Sequence, residues 1–194
     1  SGLSALAKSH LFFQKLALAN NNLIFSGWQQ AIQTDGVELG KNIIPVTQAG
    51  HVWVWNPSAD GVKQAVTLAN NNYPTVLAYA DKAYFDLAYT PSMYEPGFAW
   101  AAPNLDTYSA LSMAQLAGKT QALSKQPQNI LGIEGTLWSE NLPSFDHLMY
   151  SALPKMPGLA EAAWSPNYVT TDKQQLNWQS LATRLGCGET GFLA

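Results

Sequence analysis

The five residues Leu-Ala-Asn-Asn-Asn occur twice, at 18–22 and at 68–72, each time after a helical pattern and before a short apolar stretch. Asparagine tolerates the left-handed conformation that ends helices, so each copy marks a helix handing over to a strand. The first helix is expected over 3–19, where Leu3, Leu6, Phe13 and Leu16 fall at helical spacing, and the second carries Val62, Ala65, Val66 and Ala69 on one face. Strands are expected at 23–26, 51–55, 75–79 and 130–137, separated by helices or long loops rather than hairpin turns. Two more helices follow at 145–164, interrupted by Pro154 and Pro157, and at 173–185, where Trp178, Leu181 and Leu185 form an apolar stripe. Alternation of this kind implies a parallel sheet in an α/β fold. Four such units in 194 residues make about half of a (β/α)8 TIM barrel. No linker or low-complexity segment divides the chain, so residues 1–194 are read as a single domain.

Only 12% of residues are charged and the formal balance is −3, which leaves no electrostatic footprint for nucleic acid or an anionic membrane. A neutral ligand suits seven Trp and eight Tyr in so weakly charged a chain, although the same residues could fill a core. Cys187 is the only cysteine, so an internal disulfide is excluded and the compartment is left open. No apolar run reaches the roughly 20 residues that span a bilayer, and Ser1-Gly2-Leu3 opens no secretion signal. His10, His51 and His147 share no metal-ligand spacing and are read as structural, so neither metal nor cofactor is expected.

Each expected strand runs into residues suited to a sugar: Gly27-Trp28-Gln29-Gln30, Trp53-Val54-Trp55-Asn56, Ala83-Tyr84-Phe85-Asp86-Leu87 and Thr136-Leu137-Trp138-Ser139-Glu140. In a barrel the carboxyl ends of the strands open on one face, where barrel active sites sit, so four aromatics and two carboxylates would converge there. Taken singly, each Trp is more often core than ligand wall, and Asp86 or Glu140 is more often a cap or a solvated charge. Recurrence at four successive strand ends is what favours a site.

These segments resemble glycoside hydrolase family 20, the β-N-acetylhexosaminidases and bacterial chitobiases. The run Gly132-Ile133-Glu134-Gly135-Thr136-Leu137-Trp138-Ser139-Glu140, continuing through Phe145-Asp146 and Pro154 to Ala160-Glu161-Ala162-Ala163-Trp164-Ser165, carries the closest likeness, and G-W-Q, V-W-V-W-N and Y-F-D precede it in order. The resemblance implies that Trp28, Trp55 and Trp138 box in the N-acetyl group and the sugar face. It implies that Tyr84 is the catalytic hydroxyl on the acetamide oxygen, that Asp86 and Glu140 accept hydrogen bonds from sugar hydroxyls, and that Trp100 stacks on the next sugar. The reaction implied is substrate-assisted: the acetamide oxygen of the substrate itself attacks the anomeric carbon, outside the two-carboxylate scheme. The partner would be an N-acetylglucosamine-containing oligosaccharide and the setting periplasmic or extracellular.

The family's general acid lies in an Asp-Glu pair, and a sugar-binding arginine lies near the first strand. No Asp-Glu dipeptide occurs in these 194 residues, and Arg184 is the only arginine, far down the last helix. The chain is therefore expected to hold strands five to eight, as a fragment of a larger enzyme in preference to a natural half, and to be inactive alone. A half barrel also leaves sheet edges open, so the other half or a self-association partner is expected to cover them. Two other readings are open: a non-catalytic carbohydrate-binding fragment, and a two-carboxylate glycosidase that uses Asp86 and Glu140, in which the carboxyl separation would set the stereochemistry.

Overall fold

The computed structural model describes residues 23–32, 46–165 and 174–186, together with Phe12, Leu16 and Ala19. The expected helix at 3–19 lies largely outside these residues, although the three named positions within or beside it are helical, and His10 and Cys187 lie outside them altogether.

Four strands, β1 (Phe25–Trp28), β2 (Ala49–Val54), β3 (Thr75–Leu77) and β4 (Ile130–Ile133), form one sheet in the order β1-β2-β3-β4. Every neighbouring pair is parallel, in the registers Trp28↔Trp53, Val54↔Leu77 and Leu77↔Ile133. The short helix α1 (Gln29–Ile32) follows β1, and α2 (Ser58–Asn70) links β2 to β3. Three helices, α3 (Ala80–Ala83), α4 (Thr107–Leu111) and α5 (Met113–Leu123), lie between β3 and β4. Beyond β4 come α6 (Phe145–Ala152), α7 (Met156–Trp164) and α8 (Gln174–Leu185).

The core lies between the sheet and its helices. Val52, Val54, Leu77 and Ile130 form one buried cluster with Val62, Ala65 and Leu68 of α2 and Met113 of α5. Side chains alternate across a strand, so the intervening Trp53 and Val76 are turned to the opposite face, where they are only half-buried. One face of the sheet is thus sealed by helices while the other stays partly open.

The α2 terminus shows why the asparagine run stops a helix. Asn72 adopts φ 67°, a left-handed conformation. The Asn71 side chain donates to the Thr67 carbonyl at 2.8 Å, beside the Asn71 backbone N–H that reaches the same oxygen at 3.2 Å. Asn70 Oδ1 accepts from the Ser124 hydroxyl and the Lys125 N–H, at 3.0 and 2.7 Å, which ties this end to the turn after α5.

Strand bounds differ from the sequence expectation at every strand, and β2 starts at Ala49 and ends at Val54 where 51–55 was expected. β1 begins two residues later than 23–26 because Leu23 and Ile24 are exposed and its pairing starts at Phe25↔Ala49. β3 and β4 end before 79 and 137 because the chain there leaves the regular ladder while keeping backbone bonds. Glu134 N–H donates to Leu77 O, Thr136 N–H to Ala83 O and Phe85 N–H to Thr136 O, at 2.9, 2.9 and 2.8 Å. The expected helix at 145–164 is two helices, with Pro157 in the first turn of α7, where a missing N–H costs nothing.

Helix α4 packs on α7 so closely that Gly158 has no room for a side chain. A Cβ there would collide with the Thr107 carbonyl oxygen, which is backbone and cannot rotate away. Gly158→Ala is expected to destabilise the protein by about 1–3 kcal/mol through overpacking, measured as a lowered denaturation midpoint against wild type.

Candidate active site

The residues following β2, β3 and β4 meet around one cavity of about 570 Å3, lined by Trp55, Tyr84, Asp86, Phe98, Trp100, Trp138 and Glu140. Six of the seven residues singled out from the sequence are among them. The seventh, Trp28, is the last residue of β1 and reaches the cavity only through Trp138, its ring centroid 5.9 Å from that indole.

The placement of each side chain has a local cause. Trp55 directly follows β2, and both of its N–H groups are held from the β1 side: the backbone N–H donates to Gln29 Oε1 at 3.0 Å and the indole N–H to Gln30 Oε1 at 2.9 Å. Tyr84 follows α3 and bridges Thr136, which sets it beside the segment leaving β4. Its ring stands 5.8 Å from Trp138 and 5.9 Å from Trp100, while Trp100 stands 5.9 Å from Trp55. The tilted and edge-on angles of these contacts are those that aromatic quadrupoles favour. Trp100 sits on a long loop fixed at several points. Ala88 N–H donates to Phe98 O at 2.9 Å, Leu105 N–H to Ala88 O at 2.8 Å, and Glu95 Oε1 accepts from the Tyr89 N–H and the Tyr150 hydroxyl at 3.3 and 2.9 Å. Gly97, with φ 117°, lets that loop pass the Asp86 carbonyl at a separation where a Cβ would come within 2.7 Å.

Asp86 is buried and Glu140, in the short turn Ser139–Asn141, is exposed. The segment after β4 docks on Asp86: Trp138 N–H approaches its Oδ1 at 3.4 Å and the Asn141 amide donates to its carbonyl at 3.1 Å. Burial pushes the Asp86 carboxyl above the usual range and the nearby Glu140 adds to this, whereas the Asp86 and Trp138 backbone N–H groups and the Lys155 cation oppose it. Burial and the Asp86 charge also raise the Tyr84 hydroxyl, with the Trp138 indole partly offsetting them. Tyr84 is therefore a protonated donor at any physiological pH. Three indoles, two other aromatic rings and two carboxylates on one wall make a site for a neutral ring that offers apolar faces and hydroxyl edges.

Phe98 and Lys155 were not singled out from the sequence. Phe98 precedes Trp100 in the same loop, and only the adjacent Gly97 hints at the turn that brings it in. Lys155 is the one charge in the apolar stretch 152–160. His147, read as structural, holds a local contact, its Nδ1 lying 2.7 Å from the Ser144 hydroxyl that caps α6. The His51 ring packs edge-on against Trp53.

Fold and pocket together define a class: parallel α/β proteins that gather a ligand site beyond the carboxyl ends of their strands. Within that class the chain belongs to glycosyl hydrolase family 20, whose catalytic-domain model matches residues 5–167. A β-hexosaminidase of Vibrio vulnificus is 30% identical over 127 residues, which is 58% of this chain and 15% of that enzyme. The β-N-acetylhexosaminidase of Streptomyces coelicolor superposes with a TM-score of 0.68 at 22% identity, over 97% of this chain and 38% of that one. The exo-β-N-acetylglucosaminidase of Vibrio harveyi, solved with N-acetylglucosamine, gives 0.58 at 21% identity, over 81% of this chain and 23% of that one. These neighbours share a TIM-barrel-like α/β fold, and the chain spans well under half the length of each.

Proposed function

We propose that the chain is the sugar-holding half of a β-N-acetylhexosaminidase barrel, comprising strands five to eight with their helices as one domain. The observation that carries this reading is the single cavity in which residues from three successive strand ends, Trp55, Tyr84, Asp86, Trp100, Trp138 and Glu140, face one another. The half-open sheet face bearing Trp53 supports the barrel. So does a hollow of about 340 Å3 beside β4, lined by Ala117, Ile130, Ile133 and Ala162 among others, which suits a neighbouring strand-helix unit.

In this reading Trp55 and Trp138, backed by Trp28, enclose the acetamide methyl and the sugar face, and Trp100 stacks on the following sugar. Asp86 and Glu140 accept from ring hydroxyls. The Tyr84 hydroxyl donates to the acetamide oxygen and orients it toward the anomeric carbon. Holding that oxygen in a near-attack position is the source of the rate, because it replaces a bimolecular encounter with an intramolecular one. The proton for the leaving oxygen comes from a carboxyl group outside these 194 residues, which hold no Asp-Glu pair. The substrate is a terminal, non-reducing N-acetylhexosamine such as N-acetylglucosamine on an oligosaccharide.

Steady-state kinetics of two variants in the complete polypeptide test the assignment. Tyr84→Phe removes a preorganised donor that tightens toward the transition state, so kcat is expected to fall about 10²–10³-fold with little change in KM. Glu140→Gln weakens a bond present in ground and transition states alike, so part of its loss should appear in KM. The raised carboxyl of Asp86, with Glu140 near it, favours one second reading, a two-carboxylate glycosidase. An unchanged kcat in Tyr84→Phe would choose that reading over the first.

A further inference from the structure

Lys155 lies in the turn between α6 and α7 and is fully buried. Its ammonium group donates to the Phe85 carbonyl at 2.7 Å and to the Leu87 carbonyl at 2.6 Å, and it sits 3.9 Å above the centre of the Tyr89 ring. The two carbonyls flank Asp86, so one cation from the helical layer grips the backbone on both sides of a pocket carboxylate. The turn that carries it is fixed in its own right, since the Thr107 hydroxyl donates to the Pro154 carbonyl. Burying a cation is costly, and an apolar residue would fill the same volume at less cost. Its carbonyl partners are the two that set the course of the segment 84–87.

We propose that Lys155 is a positioning residue, which pins the Phe85 and Leu87 carbonyls so that Tyr84 and Asp86 point into the cavity, where Asp86 is an acceptor for a sugar hydroxyl. This rests on the N-acetylhexosaminide reading given above. Burial lowers the Lys155 amine to about 8, against the opposing pull of Asp86, Glu95 and Asp106, so it is charged at neutral pH and below. On the Asp86 carboxyl, already raised by burial, Glu140 and Lys155 act in opposite senses, Glu140 raising it further and Lys155 lowering it.

The test is a double-mutant cycle in the complete polypeptide, with kcat/KM on a p-nitrophenyl N-acetyl-β-glucosaminide measured against pH for Lys155→Met, Lys155→Arg, Asp86→Asn and the Met–Asn double variant. Displacing a catalytic segment by about an ångström costs on the order of 10²-fold, so Lys155→Met is expected to lose roughly 10–100-fold. Removing the cation favours protonated Asp86, so the acid limb of the profile should move to higher pH. Lys155→Arg should restore most of the rate and the limb, and Lys155→Met should add little to the loss already caused by Asp86→Asn. Lys155→Gln, which keeps a donor without the charge, carries the same comparison should the Met variant fail to fold. Variants with wild-type rates, or losses that multiply in full with Asp86→Asn and leave the acid limb in place, would overturn the proposal. A wild-type protein with no turnover would instead overturn the hexosaminidase reading itself.

Discussion

Purified alone, the 194-residue chain is expected to split no disaccharide of N-acetylglucosamine, whose leaving group is a sugar alkoxide, at an enzyme-like rate. Departure of the leaving oxygen needs a proton, and general acid assistance is typically worth about 10²–10⁴ in rate. Within the cavity the protonatable groups are Tyr84, Asp86 and Glu140. Tyr84 is raised by burial and by the Asp86 charge, which makes its proton harder to give up. Asp86 is raised by burial, yet its Oδ1 is approached by the Trp138 N–H, a contact that suits an acceptor. The complementary barrel half, added as a separate polypeptide, should restore turnover if it covers the β4 edge and brings in the acid. Turnover at enzyme-like rates by the chain alone would move the chemistry onto Asp86 and Glu140.

The parallel order of the four strands was legible because each apolar run is separated from the next by a helix or a long loop, the crossover that parallel neighbours need, whereas antiparallel neighbours can be joined by a short hairpin. The helix stop at Asn70–Asn72 was legible for a local reason, the left-handed residue that the structure places at Asn72. Strand ends were not. Leu23 and Ile24 are as apolar as any core pair, yet they are exposed, and only pairing with β2 decides where β1 starts. Likewise the residues after β4 have strand-like composition but bond to the backbone around α3, a tertiary choice with no trace in periodicity.

Within the site, Trp55, Tyr84, Asp86, Trp138 and Glu140 could be singled out because strand ends share one face of such a fold. Trp28 could be named but not placed, since whether a strand-terminal indole lines a cavity or backs another ring depends on its neighbours. Lys155 lies 70 residues from the Phe85 carbonyl that it grips. A lysine among apolar residues signals burial at most; its partners are backbone atoms, which carry no sequence signature. At the first strand end Gln29 and Gln30 were read as suited to a sugar, whereas their side-chain oxygens accept from the backbone and indole N–H groups of Trp55.

The central claim is that this pocket holds an acetamido group so that the group itself attacks. It is tested most directly by comparing kcat/KM of the complete polypeptide on two p-nitrophenyl β-glucosides that differ only at carbon 2, one with an acetamido group and one with a hydroxyl. Well-oriented intramolecular nucleophiles reach effective molarities of about 10⁵–10⁸ M, so the acetamido substrate should be preferred by ~10⁵ or more. The difference should lie chiefly in kcat, since the hydroxyl substrate still meets Asp86 and Glu140 but lacks the attacking oxygen. Comparable rates on the two substrates would contradict substrate-assisted attack and leave the aromatic walls as a sugar-binding surface with a different chemistry.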